Sequence, residues 1–167
     1  VYTLASDEMN GRKAGSEDAA RARAYIVKEF EEIGLSPLLP GGYEMDFNSH
    51  NVVYTNIVAI IPGTVLSDEY IIVGAHYDHL GIKKGKIYNG ADDNASGTAA
   101  LIEIARDLMA KSNTLKRSII IAAFDAEESG LYGSEALCNY LSSEGLLHKV
   151  KLMMSVDMVG WYGKSGF

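Results

Sequence analysis

Hydrophobic positions along this chain follow two alternating periods, one helical and one of buried strands. Ala19, Ala22, Ile26, Phe30 and Ile33 recur at helical spacing. Ser16 is placed to cap that helix, Glu17 and Asp18 suit its positive end, and Gly34 stops it. Pro37, Pro40, Gly41 and Gly42 break the chain before a short strand predicted over 43–47. A second strand lies within 51–61, centred on 56–61 and closed by Pro62 and Gly63. Residues 69–75 form a third, apolar on both faces as a central strand should be. A long helix is predicted over 94–111. Thr98, Leu101, Ile102, Ala105, Leu108 and Met109 make its apolar stripe, with Glu103, Arg106 and Asp107 off it. The run RSIIIAAF (117–124) reads as a fully buried strand, 131–141 as a helix, and LMMSVDM (152–158) as a last strand. Residues 1–15, polar and dotted with glycine, read as a surface lead-in. Strands alternating with covering helices predict an α/β fold, a mixed, mainly parallel sheet sandwiched by helices.

With 167 residues the chain suits one domain, 1–167, and shows no internal repeat or linker. A net charge of −7 argues against nucleic acid or an anionic membrane as partner. No apolar run reaches the length of a membrane span. Cys138 is the single cysteine, so no intramolecular disulfide forms, and its helical neighbours predict a buried structural thiol.

The chemistry gathers where apolar runs stop. His76, Asp78 and His79 follow the third strand, Asp92, Asp93 and Asn94 enter the long helix, Glu127 and Glu128 follow RSIIIAAF, and Asp157 interrupts the last strand. If these strands are parallel neighbours, the groups converge at one edge of the sheet. Buried carboxylates so gathered would repel and take up protons unless cations joined them. Two dications balance three ligating carboxylates and one hydroxide charge for charge, and His and Asp are donors that zinc accepts. A single acid of this kind is ordinarily a surface charge or a helix cap; the set is not, because each acid ends or interrupts an apolar run.

The blocks GAHYDH, NGADDNASG, FDAEESGLYGS and SVDMVGW, in this order and spacing, resemble the M28 family of zinc aminopeptidases. The lead-in MNGRKAGS is similar to the start of exported bacterial members. The resemblance implies the phosphorylase/hydrolase-like fold of zinc exopeptidases, a two-zinc site, peptide or protein N-termini as substrates, and a periplasmic or extracellular location. It makes His76 the imidazole ligand of one zinc, Asp78 its orienting partner, Asp93 the carboxylate bridging both ions, and Asp157 the completion of the His76 set. Glu128 would bind the other zinc, and Glu127 would act as general base. A non-proline cis bond is expected just after Asp93.

The family's further histidine ligand lies far downstream of the position of Asp157, and the ten residues after Asp157 contain no histidine. The Asp93–Glu128 set is therefore expected to lack its third protein ligand, and the chain to be a domain without its C-terminal portion that binds metal weakly or at one site. His79 is expected to be a loop residue near the site, and His50 and His148 to be solvated. Asn94-Ala95-Ser96 matches a glycan acceptor, but a site loop is a poor place for one. The loop lysines Lys83, Lys84 and Lys86 read as a solvated tip. Two rival functions share this fold: glutaminyl-peptide cyclotransferases, with a single zinc, and non-catalytic modules of the receptor-ectodomain kind. Intact ligand positions favour an enzyme over the latter.

Overall fold

A computed structural model describes residues 1–160; Trp161, which closes the SVDMVGW block, lies outside them. The elements follow the apolar periods closely. Helix α1 (Glu17–Ile33) starts where the Ser16 hydroxyl accepts the Ala19 amide and ends at Gly34 with φ 82°. Its buried stripe is Ala19, Ala22, Ile26 and Phe30. Burying the larger two contributes about 1.5–3 kcal/mol each. The strands are β1 (Ser36–Pro37), β2 (Glu44–Ser49), β3 (Val52–Ile61), β4 (Leu66–His76), β5 (Gly81–Lys83), β6 (Lys86–Tyr88), β7 (Arg117–Phe124) and β8 (Val150–Ser155). Helices α2 (Gly97–Ala110) and α3 (Tyr132–Ser143) complete the set.

The main sheet runs β1-β3-β7-β4-β8, with β2 also pairing β3. Its two halves differ. Strands β1, β2 and β7 pair antiparallel with β3, whereas β7, β4 and β8 run parallel. One face carries α1 and α2 over Ile57, Val73, Ala75, Ile119 and Ile121. The other carries α3, through Leu137 and Leu141, over Val58, Ile72, Ile120 and Ala122. Alternate residues of β3 and β7 thus serve opposite layers, which is why those strands read as unbroken apolar runs. Strand β8 is an edge whose Leu152, Met153 and Met154 are exposed.

Register explains the site. His76 stands opposite Phe124, the last residue of β7, and Gly74 stands opposite Ser155, the last of β8. Two residues on from that second pair lie His76 and Asp157; three on from Phe124 lies Glu127. The carboxyl ends of three parallel strands therefore deliver an imidazole and the acids to one place.

Four expectations are corrected. The long helix begins at Gly97 rather than at Asn94, because Asp93 (φ −102°, ψ 97°) and Asn94 (φ −132°, ψ 46°) are not helical. The Asn94 side chain instead accepts the Gly97 amide at 2.9 Å, capping the helix from three residues before. The last strand stops at Ser155, so Asp157 lies beyond it; the Val156 carbonyl is taken by the Asn94 amide at 3.0 Å instead of continuing a ladder. Cys138 is exposed, since Leu137 and Leu141 occupy the inner face of α3.

The lead-in is the fourth. It is a surface segment only in part: Val1 and Tyr2 are exposed, but Leu4 is buried, and Arg12 is wholly so. The Arg12 guanidinium donates to the carbonyl oxygens of Tyr77 (2.8 Å), Asn89 (2.7 Å), Gly90 (3.0 Å) and Leu4. Burial lowers it to about 10, against the pull of Asp78 and Asp93, so it remains a cation at neutral pH. Gly11, at φ 72°, leaves no room for a side chain; a Cβ there would sit 2.3 Å from the Tyr88 oxygen. Its carbonyl accepts the Gly81 amide, and the Arg12 carbonyl accepts the His79 amide at 3.1 Å. The lead-in is the clasp that holds the 77–90 segment against the sheet.

Replacing Arg12 by Met leaves four carbonyls, two of them in buried bonds and two in half-buried ones, without their charged donor. A loss of at least about 3 kcal/mol is expected in chemical denaturation, given the strength of hydrogen bonds to charged groups.

Candidate metal centre

Asp78 is fully buried, and its carboxylate is spent on backbone. Oδ1 accepts the Glu127 amide at 3.1 Å and Oδ2 the Glu128 amide at 3.3 Å. This pins the turn after β7, which Asp125 also stabilises by accepting the amides of Thr55 (3.1 Å) and Ala126 (2.8 Å). Burial raises the Asp125 carboxyl to about 6, with Asp78 adding to the rise and the two amides opposing it. Asp125, unassigned from sequence, is thus part of the scaffold. Asp92, likewise unassigned, accepts the Gly160 amide at 2.8 Å and the Ser96 hydroxyl at 3.1 Å, holding the segment after Asp157 beside the α2 entrance. The peptide bond between Asp93 and Asn94 is cis. Asn94 is buried with both ends of its amide engaged, which leaves no place for a glycan.

His76 is almost entirely buried. Its Nδ1 lies 3.2 Å from the carbonyl oxygen of Asp78 and 3.5 Å from that residue's carboxylate. The backbone is the nearer partner, so Asp78 orients the ring through its main chain while its side chain sets the glutamate pair. Nε2 is buried and without a hydrogen-bond partner among the described residues. Around it stand Asp93 Oδ1 at 3.2 Å, Asp157 Oδ1 at 3.5 Å and Glu127 Oε2 at 3.8 Å. Burial would lower the His76 imidazole, but Asp78, Glu127 and Asp157 outweigh it and lift the ring to about 9. Glu127 is raised by burial and by its acidic neighbours Asp78, Glu128 and Asp157, with His76 pulling the other way.

A tetrahedral ion with bonds of 2.0–2.1 Å sets its donor atoms about 3.3 Å apart. The His76–Asp93 and His76–Asp157 separations match that edge length. The donor set of one imidazole and two carboxylates suits zinc. The residues present therefore fit a metal ion here.

A second set adjoins the first. His79 Nδ1 lies 2.7 Å from Glu128 Oε1 and 4.0 Å from Asp93 Oδ2. Asp93 thus turns one oxygen to each set. His76, Asp93, Glu127, Glu128 and Asp157 all meet here, as the strand ends require. A third group stands beside the Asp93–Glu128 pair, because β4 stops at His76 and His79 leaves the strand alternation to reach the site. The clue available in the sequence was a second histidine three residues after the first, in a stretch too polar for a buried strand. His50 and His148 are exposed.

Residues 56–167 match Peptidase family M28. Leucine aminopeptidase 1 of the fungus Leptosphaeria maculans is 36% identical over 157 residues, covering 90% of this chain and 38% of the relative. The chain thus spans less than half the length of that relative, which is fungal rather than bacterial. A zinc aminopeptidase of Bacillus subtilis is 35% identical over 66% of this chain and 26% of its own, with a TM-score of 0.57. A glutaminyl cyclase from an Acidobacteriales bacterium is 25% identical over 95% of this chain and 57% of its own, with a TM-score of 0.73. Two thirds of the chain falls within the family match: the chain belongs to Peptidase family M28.

Proposed function

We propose that this chain carries the catalytic centre of a two-zinc aminopeptidase, acting on the N-terminal bond of peptides. The observation that carries the reading is His76 Nε2, buried, without a hydrogen-bond partner among the described residues, and facing Asp93 and Asp157 oxygens at tetrahedral-edge distances. His76, Asp93 and Asp157 would hold one ion; Asp93, through its other oxygen, and Glu128 would hold the second. When bound, such ions supply Lewis acidity and a water of lowered pKa. The chain's own residues do the rest. Glu127 belongs to neither donor set and, unlike the buried Asp78, is about one third exposed. Its carboxylate takes a proton from the attacking water and returns it to the leaving amine. Asp78, gripping the amides of both glutamates, keeps that carboxylate aimed at the cluster. The excess of negative charge favours a substrate bearing a free ammonium group.

Glutaminyl cyclisation is the second reading, favoured by the likeness to a glutaminyl cyclase. Hydrolysis is preferred because two donor sets stand around Asp93 rather than one. Product analysis separates them: a free amino acid for hydrolysis, pyroglutamate for cyclisation.

Glu127→Gln is expected to lower peptide hydrolysis by about a hundred- to ten-thousand-fold, the usual worth of a general base. Zinc content by mass spectrometry should stay unchanged, and its loss would assign Glu127 to the metal instead. Zinc uptake should also depend on pH. The His76 value in the ion-free fold, about 9, lies above the ordinary 6.5. The imidazolium therefore contributes stability to the ion-free chain that is fully present below pH 6.5 and is lost as pH rises through about 9. A cation must displace that proton, so apparent affinity should climb about tenfold per pH unit below that value and flatten above it, measured by competition with a chelator.

A further inference from the structure

We infer that His79 is a protein ligand of the second metal position, binding a zinc-class divalent cation through Nδ1 together with Glu128 and Asp93. The inference rests on the two-metal reading above and adds the donor that the sequence motifs did not assign.

Three independent observations converge. The His79 side chain is more than nine-tenths buried, and its Nδ1 has no hydrogen-bond partner among the described residues. Glu128 Oε1 is only 2.7 Å away, yet the pair lacks hydrogen-bond geometry. An imidazole N–H so close to a carboxylate would normally turn toward it, because a buried polar atom left unpaired costs about 1–3 kcal/mol. Two donor atoms that approach without bonding to each other are arranged to address a third body. The oxygens around Nδ1, at 2.7 and 4.0 Å, straddle the edge length of a tetrahedral zinc site.

The ring is also held where a ligand must be held. Its backbone amide is bound by the Arg12 carbonyl, and His79 forms a bridge with Lys13. On the other side the ring lies against Gly90, at φ 56°, where a Cβ would come within 2.5 Å of it. The buried lead-in and the glycine before Asp93 together leave the ring one direction. His76 presents Nε2 and His79 presents Nδ1, so the two imidazoles enter the cluster in opposite tautomers, with Asp93 between them. A plain His79–Glu128 ion pair would need none of this, and it would leave Asp93 Oδ2 facing an imidazole without a role.

The test compares wild type with His79→Ala and His76→Ala, each stripped of metal, refolding checked by circular dichroism, and titrated with zinc and with cobalt. Wild type should bind two ions per chain. His79→Ala should keep one, its second site weakened by at least about a hundredfold, more than the loss typical of removing an outer partner. The cobalt absorption spectrum should lose the component assigned to the second ion. Two ions bound by His79→Ala with unchanged affinity would overturn the inference and leave the two-metal reading intact. A single ion bound by wild type would overturn that reading and this inference with it. Because the alanine variant can fail to fold, cadmium NMR on wild type with labelled histidine supplies a second arm. Scalar coupling from cadmium to His79 Nδ1 is expected, and its absence while His76 Nε2 couples would refute the assignment.

Discussion

Like charges at the end of the sheet are the constraint on which this structure turns. Asp78, Asp93, Glu127, Glu128 and Asp157 stand around one buried imidazole and beside another. Left to themselves such acids recruit protons, and the elevation of His76 and Glu127 is that recruitment seen from two sides. A divalent cation relieves the same repulsion more completely, since it brings two positive charges that several donor atoms share at once. The chemistry proposed for the site and the stability of its neighbourhood are thus one electrostatic problem with one solution.

The protein prepares for that solution with backbone rather than with counter-charges. Asp78 spends both oxygens on the amides of the glutamate pair, and Asp125 spends both of its own on the turn before them. Arg12, buried near the cluster, gathers four carbonyls and so shapes the segment between β4 and α2. The donors come from four stretches of chain widely separated in sequence, and the single cysteine offers no covalent tie among them. Bound ions would act as the cross-links, so that folding and loading reinforce each other.

Much of this was readable from residues alone, for reasons that also mark the limit. Ser16 and Gly34 bracket α1 because capping is local chemistry, and RSIIIAAF is a buried strand because both faces of β7 are covered. His76, Asp93, Glu128 and Asp157 come together because each ends an apolar run, and parallel register does the rest. What stayed hidden depends on contacts between distant segments. No periodicity announces that Arg12 is buried, since its partners are carbonyls, which every residue has. His79 lies in the connection after β4, near the site as expected, but nothing in the residues alone says that its ring turns in toward Glu128 and Asp93. Cys138 looked like a core thiol because a helix stripe one residue wide of the truth is easily drawn. The start of α2 was misplaced because Asn94 caps with its side chain while its backbone is still turning.

The hairpin of β5 and β6 stands apart from these demands. Its tight bend at Lys84 and Gly85 uses left-handed backbone at both positions, and its lysines face water. Only its base touches the clasp, through Gly81 and the Tyr88 carbonyl beside Gly11. The bend is therefore a natural graft point: an affinity handle inserted there would extend from exposed residues and leave the cradle of donor side chains mechanically undisturbed.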